Sequence, residues 1–263
     1  MKLLRNCNIA VCFSGQSRTY KQCHQSIKNL FTSKLGNTFH FFGHTWDSNT
    51  YKFKNKDSVE IHTETIENLQ ELESNLRNLY PFKELIVEKD EYKPVLWGNL
   101  FYSAMRSNFL KQKYEAENNM MFDLVVKARY DVFYKDGKCF EDYLPPHIEE
   151  KTLYSNFGFM RNEYFLPNPD DVIYAGTSLT MDLIDSLYNA LIGQNLFAIT
   201  GSNGDNLAYK MAGPGVLIHK WMTAKNILPI HTPISYAVCR KQSTDVDYVN
   251  DWENAYKIGA LLF

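Results

Sequence analysis

No stretch of this sequence reaches the run of about 18 apolar residues that a membrane span requires, which argues against an integral membrane protein. The start, Met1 to Cys7, is basic but lacks the apolar core and cleavage site of a secretory signal, so a cytoplasmic protein is expected. Cysteine is scarce: five residues, an odd number with no CxxC pair. That pattern excludes a disulfide scaffold or a cysteine-based zinc site and predicts reduced, mostly buried thiols. Charge of one sign is also lacking. A formal net charge of −2 leaves no electrostatic reason for nucleic acid or an anionic membrane as partner. Neither GxGxxG nor GxxxxGK occurs, so the glycine-rich phosphate loops of the common nucleotide folds are missing. There is no internal repeat, no low-complexity tract and no linker long enough for a domain boundary.

What remains is 263 residues of ordinary apolar content, 44%, with many aromatics: 17 Tyr and 17 Phe. A single domain, 1–263, is expected. Asn8 to Phe13 is an apolar run closed by Ser14, Gly15 and Arg18, followed by Cys23, Ile27, Leu30 and Phe31 at helical spacing. Strand, glycine turn and helix in that order make a natural anion site, to which Arg18 adds a guanidinium; a plain βα turn with a surface arginine fits equally. Thr38 to Phe42 reads as a second strand opening onto Trp46 and Asp47. Trp46 could stack on a base or cap the core; Asp47 could accept a ribose hydroxyl or cap the next turn. Residues 48–62 read as a polar surface excursion, and Thr65 to Tyr80 as a helix ended by Pro81. Leu85 to Val87 is a third strand, and Asn99 to Glu117 a helix with a Phe101, Met105, Phe109 row and Lys111 on another face.

The fourth strand, Phe122 to Tyr134, begins as a buried run and then admits Lys127, Arg129 and Asp131. The alternation of strands and helices predicts an α/β fold with a doubly wound, mostly parallel sheet flanked by helices. In such sheets ligands bind beyond the carboxyl ends of the strands, which is where Asp131 falls. The competing reading of Arg129 and Asp131 is a charge pair on a solvated face. Later, 154–169 reads as irregular, Asp170 to Gly176 as a strand, and Leu179, Leu183, Leu187 and Leu191 as the buried row of a helix starting near Thr177. Gly201 to Asp205 reads as a polar loop, and Pro214 opens a last helix carrying Leu217 and Trp221.

Taken together, Ile9 to Thr19, Phe42 to Asp47, Tyr114-Glu115 with Phe122 to Asp131, and Asp170 to Gly176 with Met181-Asp182 resemble a family of small glycosyltransferase-like proteins. These have the GT-A fold, and several occur in capsule-type gene clusters and viral genomes. The resemblance covers residues 8–225 in order, although each block alone is short. It implies transfer of a sugar from a nucleotide-diphosphate donor to a hydroxyl of a glycan acceptor. Residues 1–135 would form the nucleotide-sugar half of a GT-A-like (Rossmann-like) sheet and 136–263 the acceptor half. Ser14, Gly15, Arg18, Trp46, Asp47, Lys127, Arg129 and Asp131 would contact the donor.

The segment Arg129-Tyr130-Asp131 would stand where that fold carries a DXD motif, with arginine replacing the first acid. Two ways of neutralising the departing diphosphate follow. A divalent cation, Mn²⁺ or Mg²⁺, could sit on Asp131 with help from Asp136 or His231. Alternatively Arg129, Arg18 and Lys127 neutralise the phosphates with no metal. The base for the acceptor hydroxyl would come from Asp170, Asp171 or Asp205, with Asp171 and Asp205 taken forward as catalytic. Two further readings compete. A nucleotidyl- or sulfotransferase is disfavoured by the missing phosphate loop. A non-catalytic nucleotide- or glycan-binding module is kept open by the single carboxylate.

Overall fold

A computed structural model describes residues 1–54, 59–66, 68–89, 98–159, 167–193 and 214–239. Among these residues the centre is a seven-stranded sheet in the order β6-β3-β2-β7-β11-β10-β12. Its strands are β2 (Asn8–Ser14), β3 (Thr38–Trp46), β6 (Phe82–Glu88), β7 (Leu124–Ala128), β10 (Thr152–Phe159), β11 (Pro167–Gly176) and β12 (Leu228–His231). Six run the same way; β11 alone is antiparallel to its neighbours β7 and β10. The expected mixed α/β class with a mostly parallel sheet is present.

Alternation along the strands divides the core into two layers. Ile9, Val11 and Phe13 of β2 and Leu124, Val126 and Ala128 of β7 pack with α1 (Tyr20–Leu30) and α2 (Leu69–Leu79). Ala10, Cys12 and Val125 point the other way, against α3 (Gly98–Glu117), α4 (Ser178–Asp185), α5 (Leu187–Gly193) and α6 (Pro214–Ala224). A strand buried on both faces favours apolar residues throughout, which is why β2 reads as an unbroken run from Ile9 to Phe13 and β7 is interrupted only by Lys127. Each such side chain contributes about 1.5–3 kcal/mol when fully buried.

Several boundaries differ from expectation. Within the expected excursion at 48–62, β4 (Ser48–Lys54) pairs antiparallel with β5 (Val59–Thr65). The second helix starts at Leu69, because the Asn68 side chain accepts from the Glu71 N–H at 3.0 Å and caps it there. Part of the expected irregular stretch is regular: Tyr154 to Phe159 lies in β10, which pairs with β11. Leu179 is 53% exposed rather than buried: α4 buries Met181 and Ile184 instead, and Leu187 and Leu191 belong to the separate helix α5. On α3 the expected assignment of faces is reversed in part. Phe109 is 50% exposed, whereas Ser103, Ser107 and Lys111, spaced by four, are buried toward the sheet. Lys111 is sustained there by Asp182 at 2.8 Å, Glu115 at 2.9 Å and the Ser178 hydroxyl at 2.6 Å.

The fourth strand is two strands. After Ala128 the chain turns through Arg129, Tyr130 and Asp131 and resumes as β8 (Val132–Tyr134). That short strand leaves the main sheet to pair with β13 (Tyr236–Val238). β2 has β3 on one side and β7 on the other. The carboxyl ends of β2 and β7 are therefore a topological switch point.

Candidate functional site at the sheet switch point

Two loops meet at this switch point. The first follows β2. Ser14 ends the strand buried, and Gly15 turns the chain at φ +106°, in the region open to glycine. The Gly15 N–H donates to the Ser103 hydroxyl at 2.6 Å. Arg18 also sits at positive φ, +36°, which a non-glycine residue holds only when surroundings enforce it. Its N–H donates to the Asn49 side-chain oxygen at 3.0 Å, and its guanidinium reaches Asp131 at 2.9 Å.

The second loop follows β7. The Tyr130 ring stacks on Phe13 at 5.2 Å and is wholly buried, which pins the turn to the core. Gly43 on β3 makes room for it, because a Cβ there would lie 2.6 Å from the Tyr130 hydroxyl. Arg129 and Asp131 then emerge on the same side. Arg129 donates twice to Asp131, from Nε to Oδ1 and from Nη2 to Oδ2, each at 2.8 Å.

Asp131 is thus 1% exposed and accepts three charge-assisted hydrogen bonds from two guanidinium groups. Burial works to raise its carboxyl, but Arg129 and then Arg18 outweigh it and hold it below the ordinary carboxylate value. Burial likewise opposes the charge of Arg129, and Asp131 more than compensates. Removing Asp131 would leave two largely buried cations without their counter-ion. The pair is not a decoration on a solvated face.

Around this clamp lie three more charged groups. Asp171 Oδ2 is 3.8 Å from Arg129 Nη1. The Lys127 ammonium, 2% exposed, donates to the Asp171 carbonyl; burial pushes it down to about 8, against the pull of Asp171. Asp170 is pushed up to about 6 by burial, although its Oδ1 accepts the Val172 N–H at 2.9 Å. The structure therefore gathers Ser14, Gly15, Arg18, Lys127, Arg129, Asp131 and Asp171 into one region.

The other expected site residues fare differently. Trp46 is 1% exposed, stacked on Tyr102 at 5.5 Å and edge-on to His44 at 4.9 Å, so it fills the core and has no face to offer a base. Asp47 is half-buried at the end of β3, its N–H on the Glu88 carbonyl at 2.8 Å. Asp136 is exposed beyond β8 and bonds Tyr143. Asp205 lies outside the described residues.

The donor set does not fit a divalent cation on Asp131 and His231. Both Asp131 oxygens already accept from guanidinium N–H groups. His231 is exposed on the edge strand β12, in a cross-sheet row with Ser155, Tyr174 and Lys127. Three strand spacings, about 14 Å, separate it from Lys127 along that row. Among the described residues no group of three or more His, Cys, Asp or Glu is placed to hold a metal ion.

A buried relay behind the Gly15 turn had no counterpart in the sequence reading. Ser103 Oγ lies 2.7 Å from His44 Nδ1, and His44 Nε2 is 3.4 Å from Glu88. Glu88 also accepts from Tyr102 at 2.7 Å and from Arg106 at 2.6 Å. Burial lowers the His44 imidazole, keeping it neutral. With the Ser103 proton on Nδ1, the imidazole carries its own on Nε2, toward Glu88. Burial opposes the charge on Glu88, and the bonds from His44 and Tyr102 outweigh it, taking its carboxyl down to about 2. The sequence signal was the Ser103, Ser107, Lys111 row, polar residues at the spacing of one helical face.

No protein-family model matches the chain, and no curated protein is significantly similar to it.

Proposed function

We propose that this chain is a GT-A-like transferase that moves a sugar from a nucleoside-diphosphate sugar to a hydroxyl acceptor, without a metal ion on the diphosphate. The reading rests on one observation: the Arg18–Asp131–Arg129 cluster at the carboxyl ends of β2 and β7. Two guanidinium groups fixed at the switch point supply the positive charge that a diphosphate needs. Charge grows on the diphosphate as the bond from its oxygen to the anomeric carbon breaks. Cations already oriented by Asp131 would stabilise that charge without reorganising. Asp131 is then a positioning residue for the arginines rather than a ligand.

As the acceptor oxygen bonds to the anomeric carbon, its proton must leave. Asp171, 3.8 Å from Arg129, is the carboxylate proposed to take it. A non-catalytic nucleotide- or glycan-binding module on the same fold is the second reading, favoured by the full engagement of the single Asp131 carboxylate.

Thermal melts with UDP, GDP and CMP, each in EDTA and in Mn²⁺, test the proposal. A ligand at about 100 times its Kd adds about 2.7 kcal/mol, which for a chain of this size is roughly a 5–10 °C rise. The expected result is a rise with one nucleoside diphosphate that persists in EDTA. No rise with any nucleotide sinks the reading. A rise without release of nucleoside diphosphate from its sugar conjugate, across an acceptor panel, favours the binding module.

A further inference from the structure

Two cysteines from opposite ends of the chain meet beside this cluster. Cys23 lies on α1, and Cys239 follows β13. Thr19 holds both: its hydroxyl oxygen is 3.8 Å from the Cys23 sulfur and donates to the Cys239 carbonyl at 2.9 Å. The two thiols are near enough for each to shift the ionisation of the other. The frame around them is fixed from both sides. The Cys239 N–H donates to the Asp131 carbonyl at 2.7 Å, and the Tyr134 N–H to Ser26 on α1 at 3.2 Å. Cys239 is partly exposed, so a soluble oxidant can reach it, while Cys23 is buried behind it. The other three cysteines are buried elsewhere: Cys12 faces the α3 layer, Cys7 bonds the Leu3 carbonyl at 3.2 Å, and Cys139 precedes a helical turn at Phe140–Tyr143.

We propose that Cys23 and Cys239 form a reversible disulfide by exchange with a low-molecular-weight disulfide such as oxidised glutathione. The Cys239 thiolate attacks one glutathione sulfur, forming a protein–glutathione mixed disulfide and expelling one glutathione thiolate. The Cys23 sulfur then attacks the Cys239 sulfur and expels the second glutathione. Two protein thiols are oxidised, one glutathione disulfide is reduced, and the two thiol protons end on the two glutathiones. The neighbouring Cys23 thiol lowers Cys239, which fits Cys239 as the attacking group. The product would tie the segment that hydrogen-bonds Asp131 covalently to the helix that follows Arg18. The bond itself does not depend on the transferase reading.

The test uses the full chain incubated with oxidised glutathione, alkylated, and mapped by non-reducing peptide mass spectrometry. The expected product lacks two hydrogens, contains a Cys23–Cys239 linked peptide, reverts with dithiothreitol, and melts several degrees higher because a long loop is closed. Cys23→Ser should stop at the glutathione adduct on Cys239, and Cys239→Ser should give neither species. Alkylation of all five thiols after oxidation, linkage through another cysteine, or arrest of the wild-type chain at the mixed disulfide would each overturn the proposal.

Discussion

Asp131 and Asp185 are both buried carboxylates, and their surroundings drive them in opposite directions. Asp131 has two guanidinium partners and stays ionised. Asp185 is 7% exposed at the last position of α4, where burial and then Asp182 push its carboxyl up to about 7 from an ordinary 3.8. A carboxyl raised on folding contributes its stability when protonated. That contribution is complete below the unfolded value and is lost as pH rises from about 4 to about 7. Asp185→Asn abolishes the loss. The variant should therefore gain on the wild type by about 1–3 kcal/mol between pH 5 and pH 8, read from urea unfolding at the two pH values. A gap that does not widen with pH would mean that Asp185 is ionised throughout. Residue identity alone could not separate these two aspartates. What distinguishes them is a pair of arginines in one case and a helix end near another acid in the other.

At the level of elements, the Gly15 turn is held by α3 rather than by its own helix. Thr19, at the N-cap of α1, makes no side-chain cap and turns its hydroxyl to Cys239. The Gly15 N–H instead finds Ser103, which His44 and Glu88 orient in turn. The anion site expected from strand, glycine turn and helix is thereby altered: the Gly15 amide points into the protein, and the cation of the loop is the Arg18 side chain. Ser103→Ala leaves the partly buried Gly15 amide and the fully buried His44 Nδ1 without this partner. A loss of about 1–3 kcal/mol is expected from the desolvation of such groups, measured by urea unfolding. Unchanged stability would show that the relay does not brace the turn. Apolar runs made β2, β7 and most helices legible, because burial on both faces leaves a one-dimensional trace. Ser103 left only its place in a polar row of α3, and His44 left nothing, since a polar residue that meets its partner across the fold looks like a surface residue in sequence.

At the level of the whole molecule, the seven-stranded sheet brings loops more than a hundred residues apart to one switch point, and Arg18 meets Asp131 there. Of the residues named from the resemblance, Ser14, Gly15, Arg18, Lys127, Arg129, Asp131 and Asp171 lie near one another. The resemblance did not reveal that Trp46 fills the core or that Asp131 is enclosed by arginines, because a short motif carries residue types and not their partners. The order of the strands beyond β7 was equally hidden: β11, the antiparallel strand, lies between β7 and β10, which precedes it in sequence. In the proposed function, Arg18 and Arg129 neutralise a diphosphate at this switch point with no cation. Isothermal titration of the nucleoside diphosphate selected by melting, in EDTA, tests it most directly, with wild type beside Arg18→Gln. Binding in EDTA is predicted, weakened by roughly 10–100-fold in Arg18→Gln, the range expected for a lost charged hydrogen bond. Heat of binding that appears only when Mn²⁺ is added, or equal affinity in the two proteins, would contradict the account.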